Sequence, residues 1–344
     1  INNETELRFT DFAMRNGISF LSYENIIANL KLDRNFKHAR TNSTVYAKGD
    51  FRAIERDGEL LFEKKNRIRH ADYKDYGIRI AESSEEPVHE SSINYAIFSD
   101  SLQRERTRDS FSRDNFAIDV TRVKTLNNIT FELEVEITNK IKKEDLSDLV
   151  SKLLSFVQQN THISTRTYLE SVASAYATLL NDKRPKFVGP LPYTLMKSDF
   201  DSGKLNCGYS VTDKADGTRQ LLFVDGQGRM FFVSRPSNSQ LIPRYVGKCS
   251  LSNTILDGEY LQSINKYLTF DVLVVNGKDV RKMNLIERLE EISNTFPINE
   301  ASSINHQAKQ ILKTDTKLTI EIKNFYVFLN GFVYLIHNGK MSSK

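Results

Sequence analysis

Three segments of the sequence carry a charged side chain at every second position. Side chains two residues apart on a β-strand point to the same side, whereas on a helix they do not. Each segment therefore predicts a strand with one charged face. The three rows are Glu4, Glu6 and Arg8; Arg104, Arg106 and Arg108; and Glu132, Glu134 and Glu136.

A single row of this kind is usually a solvated strand face. Here the rows with glutamates lie near both ends of one region, and the basic row lies between them, which favours a closed barrel with all three rows inside. Facing carboxylates would hold a hard divalent cation through oxygen ligands. The arginines would clamp phosphate oxygens with paired hydrogen bonds. The rows therefore predict metal-dependent hydrolysis of a polyphosphate.

The composition limits the class of protein. A length of 344 residues suggests about two domains. The net charge is only +4, so any anion-binding surface must come from local clustering rather than from a basic excess. The sequence has no apolar run long enough to span a membrane and no signal peptide. Cys207 and Cys249 form no CxxC pair, which argues against a disulfide framework or a thiolate zinc site and favours the cytoplasm.

The pattern of strands and helices predicts two α+β domains. Residues 1–140 read as successive strands, interrupted by a short helix at residues 23–30, and two amphipathic helices follow. The predicted strands include residues 45–54, 60–65 and 94–98. A segment rich in proline and glycine then leads into a second strand-rich region. We place the boundary near residue 185, which gives domains at residues 1–184 and 185–344. The predicted fold is an antiparallel β tunnel with flanking helices, followed by an α+β lobe.

The glutamate rows resemble the two metal-binding motifs of the triphosphate tunnel metalloenzymes, which include RNA 5′-triphosphatases of fungi, poxviruses, asfarviruses and mimiviruses. The basic strand and residues 118–123 are similar to that family as well, whereas Ala117 stands where relatives often carry a basic residue. The resemblance implies Mg²⁺ or Mn²⁺ as the cofactor and Glu6, Glu134 and Arg106 as catalytic residues. The implied metal ligands are Glu4, Glu6, Glu132, Glu134 and Glu136. The implied phosphate ligands are Arg8, Lys64 or Lys65, Arg79, Arg104, Arg106 and Arg108.

A second motif, from Lys214 to Arg219, reads Lys-Ala-Asp-Gly-Thr-Arg. A lone KxDG is often only a surface turn. A lysine amine that stays partly neutral can nevertheless act as a covalent nucleophile. A phosphoramidate through Lys214 would split nucleotidyl transfer into two steps, with Gly217 allowing close backbone approach and Arg219 holding a phosphate.

The residues downstream resemble the motifs of covalent nucleotidyltransferases, namely mRNA guanylyltransferases and polynucleotide ligases, whose catalytic lobe is ATP-grasp-like. Lys214 resembles their first motif, and the residues from Gly189 to Pro192 resemble a guanylyltransferase segment. The resemblance implies GTP as the substrate and a ring that stacks on the base. The implied GTP-binding residues are Lys214, Asp216, Gly217, Arg219, Arg235, Asp257, Glu259, Phe270 and Asp271.

Two departures concern the end of the chain. Asn330 stands where the fourth motif has an aspartate, and neither a fifth motif nor an OB-fold precedes Lys344. We therefore expect the lobe to be incomplete at its C-terminal side and to form little GMP adduct.

The order of the two regions is that of capping enzymes of large cytoplasmic DNA viruses and yeast cytoplasmic linear plasmids. The resemblance implies mRNA 5′ capping: removal of the γ-phosphate from RNA, then GMP transfer from GTP through Lys214. It implies 5′-triphosphate RNA and GTP as partners, a methyltransferase domain or subunit as another, and the host cytoplasm or the virion as the location. Two alternatives stay open. One is a polynucleotide ligase or RNA-repair enzyme, which would not need the glutamate rows. The other is an inactive RNA-binding scaffold, which Asn330 and Ala117 favour.

Overall fold

The computed structural model describes residues 2–12, 16–89, 101–190, 194–203, 209–234, 241–295, 298–301, 308–325 and 333–337. The chain divides into two compact units, Ile1–Tyr168 and Leu169–Lys344. This division falls earlier than the predicted boundary at residues 184 and 185. The reason lies in Tyr176, which is fully buried, packs edge-on against Phe223 and donates a hydrogen bond to the Lys186 carbonyl, all within the second unit.

The first unit is a closed barrel of eight antiparallel strands in the order β1-β5-β4-β3-β2-β6-β7-β8, with β8 paired back to β1. This confirms the predicted antiparallel tunnel. The strands are β1 (Asn2–Phe9), β2 (Lys37–Lys48), β3 (Phe51–Arg56), β4 (Glu59–Tyr73), β5 (Ile78–Pro87), β6 (Leu102–Arg113), β7 (Phe116–Lys124) and β8 (Ile129–Ile137).

Two helices cover the outside of the barrel. Helix α1 (Phe20–Leu32) joins β1 to β2, and α2 (Lys143–Gln158) follows β8. The apolar residues that alternate with the charged ones on β1 and β8, such as Leu7 and Val135, belong to one core with the buried faces of these helices. Because neighbouring side chains alternate between the two faces of a strand, this packing turns the charged residues into the barrel.

Two strand boundaries differ from the prediction. Residues 45–54, expected to form one strand, are split between β2 and β3 by a turn in which Gly49 has a φ of 60°, a conformation that suits glycine. Strand β4 extends to Tyr73, well beyond the predicted residues 60–65, because β5 pairs with it along that length. The strand predicted at residues 94–98 lies outside the described residues.

The second unit contains a mixed sheet in the order β12-β11-β10-β13-β14-β18-β17-β16, with β15 beside β14, and a separate β9–β19 pair. Its strands are β9 (Tyr209–Asp213), β10 (Thr218–Val224), β11 (Arg229–Val233), β12 (Arg244–Lys248), β13 (Thr254–Leu261), β14 (Lys266–Val275), β15 (Lys278–Asp279), β16 (Ile298–Ala301), β17 (Ala308–Lys313), β18 (Thr319–Ile322) and β19 (Val333–His337). Its helices are α3 (Arg166–Leu179), α4 (Lys197–Asp201) and α5 (Leu285–Ser293), of which α3 belongs to this unit from Leu169 to its end.

Helix α5 packs on β14 through Ile292, in a core shared with Leu222, Leu256 and Val272. A capping box between Asn284 and Glu287 begins the helix. Within the described part of the chain, no helix combines the length and the apolar character needed to cross a membrane.

Candidate active site

Strand register brings the three charged rows of the first unit onto one surface. Glu6 lies opposite Glu136 and Arg8 opposite Glu134 where β1 pairs with β8. Strand β7 connects β8 to the arginine row, because Thr121 lies opposite both Glu132 and Arg108. Directly opposed residues share a face of the sheet, so all three rows line the interior of the barrel.

Glu6 and Glu134 form a close carboxylate pair in this interior. The Nε atom of Arg8 lies 3.0 Å from Oε1 of Glu134, and the same group donates a hydrogen bond to Glu6. Burial disfavours the charged form of Glu6, but Arg8 outweighs it and lowers the pKa of Glu6. Burial, followed by the negative charge of Glu6, raises the pKa of Glu134. The pair therefore has one carboxylate that is readily charged and one that resists charging.

A lysine neutralises the other glutamates at this end of the row. The Nζ atom of Lys65 lies 2.5 Å from Oε2 of Glu4, 2.8 Å from Oε1 of Glu85 and 3.7 Å from Oε2 of Glu6. Lys64 lies on the face of β4 opposite to that of Lys65, and its ammonium lies 5.8 Å from the ring centre of Phe51. Of the two predicted lysines, the structure thus brings Lys65 into the tunnel. The sequence prediction missed Glu85, which has no charged neighbour at i ± 2 to mark it.

One member of the arginine row, Arg106, has no ion-pair or hydrogen-bond partner among the described residues. Arg104 pairs with Glu132 at 2.5 Å, and Arg108 pairs with Asp119 at 2.7 Å. Among the described residues, Arg106 forms no ion pair or hydrogen bond, and its Nε atom is buried. Burial, together with the charges of Arg104 and Arg108, lowers the pKa of Arg106 to about 10, so it remains cationic at neutral pH. Asp119 is a second tunnel carboxylate that the sequence prediction did not assign.

The remaining tunnel predictions have different surroundings. Glu136 forms no hydrogen bond or ion pair with any described residue, and burial, aided by Asp119 and Glu85, raises its pKa. Ala117 lies directly opposite Glu136, so this position brings no cation to it. Arg79 lies opposite Arg8 in the register but is 43% exposed and pairs with Asp72 at 2.6 Å.

The five predicted metal ligands therefore do not converge on one point. Across the ranges that the structure describes, no three histidine, cysteine, aspartate or glutamate side chains form a cluster able to hold a metal ion. Instead, the cations of Arg8, Lys65 and Arg104 each contact the glutamates nearest to them. The tunnel interior is thus lined by a network of ion pairs between neighbouring acidic and basic side chains.

In the second unit, the predicted nucleophile lies in the loop between β9 and β10. Lys214 is exposed and directly follows the end of β9. The Gly217 amide donates a 3.1 Å hydrogen bond to Oε1 of Glu259, and a Cβ at residue 217 would come within 2.6 Å of the Tyr260 carbonyl oxygen. Glycine therefore lets the loop lie directly against β13.

Arg219 connects this loop to the buried acid of β13. Its Nε and Nη2 atoms donate to the two oxygens of Asp257 at 3.0 and 2.6 Å, and its Nη1 atom donates to the Pro190 carbonyl at 2.5 Å. The guanidinium also lies 5.4 Å from the ring centre of Phe270. Burial raises the pKa of Asp257 to about 6, although Arg219 opposes the shift. The residue opposite this pair, Gly189, has no room for a side chain, because a Cβ would lie 2.9 Å from Asp257 Oδ2.

Asp271, which was predicted to bind GTP, is paired with Arg288 in this structure. Arg288 of α5 donates to both of its oxygens, at 2.7 and 2.8 Å, and both side chains are buried. A register shift at Phe270 places Asp271 opposite Asp257. The structure thus gathers Arg219, Asp257, Glu259 and Phe270 near the lysine loop but uses the oxygens of Asp271 to hold α5.

Four further residues complete the comparison with the prediction. Asp216 is exposed in the loop. Arg235 and Asn330 lie outside the described residues. Lys323 was missed: it is buried and donates a hydrogen bond to the carbonyl of Asp213, the residue before Lys214. A single lysine after a short strand offers no sequence signal for this role.

A barrel lined with charge and a lysine loop against an acidic strand are thus the two candidate sites of this chain. The family model described as "mRNA capping enzyme, catalytic domain" matches residues 157–341, more than half of the chain. The chain belongs to the mRNA capping enzyme family. This membership favours capping over the polynucleotide ligase alternative.

The chain is also similar to individual known proteins. The chain is 26% identical over 280 residues to a probable mRNA-capping enzyme of Acanthamoeba polyphaga mimivirus, covering 71% of this chain and 24% of that protein. It is 23% identical over 210 residues to an mRNA-capping enzyme of African swine fever virus, covering 57% and 24%. The chain therefore spans about a quarter of the length of these relatives. Among solved structures, a mimivirus capping enzyme triphosphatase is 17% identical, with a TM-score of 0.38 over 46% of this chain and 90% of that one.

Proposed function

We propose that this chain performs two steps of mRNA 5′ capping. The first unit would remove the γ-phosphate from 5′-triphosphate RNA, and the second would bind GTP and accept GMP on Lys214. The observation that carries the proposal is the inward-facing arrangement of the three charged rows, because a barrel interior gains nothing structurally from so many buried ionisable groups.

The arginine row supports binding of a polyphosphate. Arg106 is a cation in the tunnel with no partner among the described residues. Such a group is costly to leave unpaired, and a phosphate oxygen would satisfy it with charge-assisted hydrogen bonds. Arg104 and Arg108 flank it on the same face and would add further contacts as the phosphate charge shifts during hydrolysis.

The tunnel carboxylates supply the kind of oxygen ligand that a hard divalent cation takes, although in this structure the chain's own cations contact them. Glu6 and Glu134 lie close enough that the charge of one opposes ionisation of the other, and oxygen ligands of this kind suit Mg²⁺ or Mn²⁺. Glu4 and Glu136 extend the same face of β1 and β8. When bound, the ion would polarise the phosphate and lower the pKa of a water. The chain's own glutamates would hold the ion, while the arginines orient the phosphate chain.

The second unit supports a nucleotide site at the lysine loop. Arg219, Glu259 and Phe270 surround this loop with a cation, a carboxylate and an aromatic ring. These groups match a phosphate, a ribose and a base respectively, and lysine provides the nucleophile. Asp257 would orient Arg219, because it holds both ends of that guanidinium.

The proposal extends to partners and location. 5′-triphosphate RNA and GTP are the substrates, and a methyltransferase domain or subunit would act on the product. We place the reaction in the cytoplasm of the host cell or in the virion. Cys249 is a free cysteine in the part of the chain that the structure describes.

Phosphate release tests the first step. RNA labelled at the γ-phosphate is incubated with the full chain and Mg²⁺ or Mn²⁺, using wild type, Arg106→Ala and the control Arg69→Ala. Arg69 is 80% exposed and pairs with Glu82, so its loss should leave release unchanged. Loss of Arg106 should reduce kcat/KM roughly a hundredfold. A wild-type chain that binds the RNA but releases no phosphate would instead support the inactive scaffold.

Covalent labelling tests the second step. The chain is incubated with α-labelled GTP and then separated by denaturing electrophoresis. Whatever the yield, the label must disappear in Lys214→Ala and persist in Lys266→Ala, whose ammonium pairs with Glu321 on β18. Label that survives Lys214→Ala would show that another residue is the nucleophile, and equal labelling by ATP would argue against a guanylyltransferase.

A further inference from the structure

Lys65 occupies a position where three carboxylates meet. Its ammonium lies 2.5 Å from Glu4, 2.8 Å from Glu85 and 3.7 Å from Glu6. The side chain is only 13% exposed, and those of Glu4 and Glu6 are 18% and 6% exposed. Glu4 and Glu6 come from β1, whereas Glu85 comes from β5, so the contact joins two neighbouring strands.

Glu6 is buried, Glu4 is 18% exposed and Glu85 is 31% exposed, so three carboxylates with limited access to water lie close together. They need a nearby cation, because like charges repel more strongly where water is scarce. In this structure the cation is part of the chain itself. We propose that Lys65 is an internal counter-ion for these glutamates, and that a divalent cation binding to the tunnel displaces its ammonium from them. This inference rests on the proposed function, in which Glu4 and Glu6 hold such an ion.

The geometry requires displacement rather than sharing. A divalent ion such as Mg²⁺ contacts carboxylate oxygens at about 2.0–2.1 Å, so an ion held by Glu4 and Glu6 would need the oxygens that the ammonium now contacts. Two cations cannot contact the same oxygens at these distances without strong repulsion. Lysine suits release, because its ammonium is a point charge at the end of a flexible stem of four carbons.

The other tunnel cation near these glutamates is less suited to leave. Arg8 contacts Glu6 and Glu134 together through its planar guanidinium. Such a group keeps a fixed geometry and binds two acceptors at once. Lys65 is therefore the cation that competes with a metal ion for these carboxylates, whereas Arg8 keeps its contacts with Glu6 and Glu134.

Metal binding to the full chain tests the inference without measuring activity. Titration calorimetry with Mn²⁺ compares wild type, Lys65→Met and the control Lys124→Met. Lys124 forms a 3.0 Å pair with Glu105, but both groups are about half exposed, at 50% and 53%. Removing the competing charge in Lys65→Met should tighten Mn²⁺ binding roughly tenfold. Lys124→Met should bind Mn²⁺ as wild type does.

A second measurement covers the stability of the variant. Without metal, Lys65→Met removes the ammonium that contacts Glu4, Glu6 and Glu85, so it should melt at a lower temperature than wild type. Saturating Mn²⁺ should raise its melting temperature more than that of wild type. Lys65→Arg keeps the charge, so its Mn²⁺ affinity should remain far below that of Lys65→Met.

The outcomes separate the two proposals. Equal or weaker Mn²⁺ binding by Lys65→Met, in a chain whose wild type binds the ion, overturns the counter-ion role and leaves the metal site intact. Failure of every variant to bind Mn²⁺ overturns the metal site and the counter-ion role together. Binding by Lys65→Met alone would support the competition strongly.

Discussion

The two units bury ionic groups for different purposes. In the barrel, glutamates and arginines face an interior surface, and the apolar core lies outside the wall, against α1 and α2. In the second unit, the core lies within the sheet and under α5, and two buried aspartates pair with arginines: Asp257 with Arg219, which is 27% exposed, and Asp271 with the buried Arg288. The barrel keeps members such as Arg106 without a partner among the described residues, whereas both oxygens of Asp271 are satisfied.

This difference shows how to separate charges that act on substrate from charges that hold a fold. A closed pair satisfies its hydrogen bonds internally, so removing one partner strands the other in the core. An open row keeps like charges side by side, and the chain's own cations relieve only part of their repulsion, which leaves the row able to gain from an external ion or ligand. Substitutions in the closed Asp271–Arg288 pair should therefore affect stability, whereas substitutions of tunnel residues such as Arg106 and Glu134 should affect activity.

The largest effect is expected for Asp271→Ala. It leaves Arg288 buried without its carboxylate, which should lower the free energy of unfolding by about 3–5 kcal/mol. Urea unfolding of the full chain measures the change. The control, Asp279→Ala, removes a half-exposed pair with Arg281 and should cost less than about 1 kcal/mol. Unchanged stability with loss of GTP binding would instead return Asp271 to the nucleotide site.

The next effect concerns activity. Glu134→Gln keeps the shape of the side chain but removes a tunnel carboxylate, so γ-phosphate release should fall roughly a hundredfold. Because burial and Glu6 oppose its charge, its loss should not lower the melting temperature. Glu105→Gln, on the exposed face of β6, is the control for both measurements. A destabilised Glu134→Gln would place Glu134 among the structural pairs and erase the contrast between the units.

The smallest effect is expected for Tyr176→Phe. The variant keeps the buried ring beside Phe223 and removes only the 2.9 Å hydrogen bond to the Lys186 carbonyl. Its cost should be about 1 kcal/mol in the free energy of unfolding. Tyr73→Phe, at an exposed position of β4, should have no measurable effect. A negligible cost at Tyr176 would show that this hydroxyl does not help to hold α3 in the second unit.

Much of the first unit could be predicted because its signal is local. Alternation over a few residues indicates both the strand and its charged face, and β1, β6 and β8 follow the three rows. Partners across the barrel could not be predicted. Asp119 faces the tunnel because of the register in which β7 pairs with β8, and Glu85 because of the register in which β5 pairs with β1. A shift of one residue in either pairing would turn that side chain outward.

In the second unit, the candidate lysine loop and the candidate residues near it could be recognised from the sequence, because the KxDG motif and the short segments that contain Asp257 and Phe270 are local patterns. Tertiary structure decided how they are used. The shift in register at Phe270 and the docking of α5 give Asp271 to Arg288, and the end of β18 brings Lys323 to the base of the loop. Local patterns determine which face a side chain takes, but strand register and helix packing decide which charges meet, because those contacts join residues far apart in the chain.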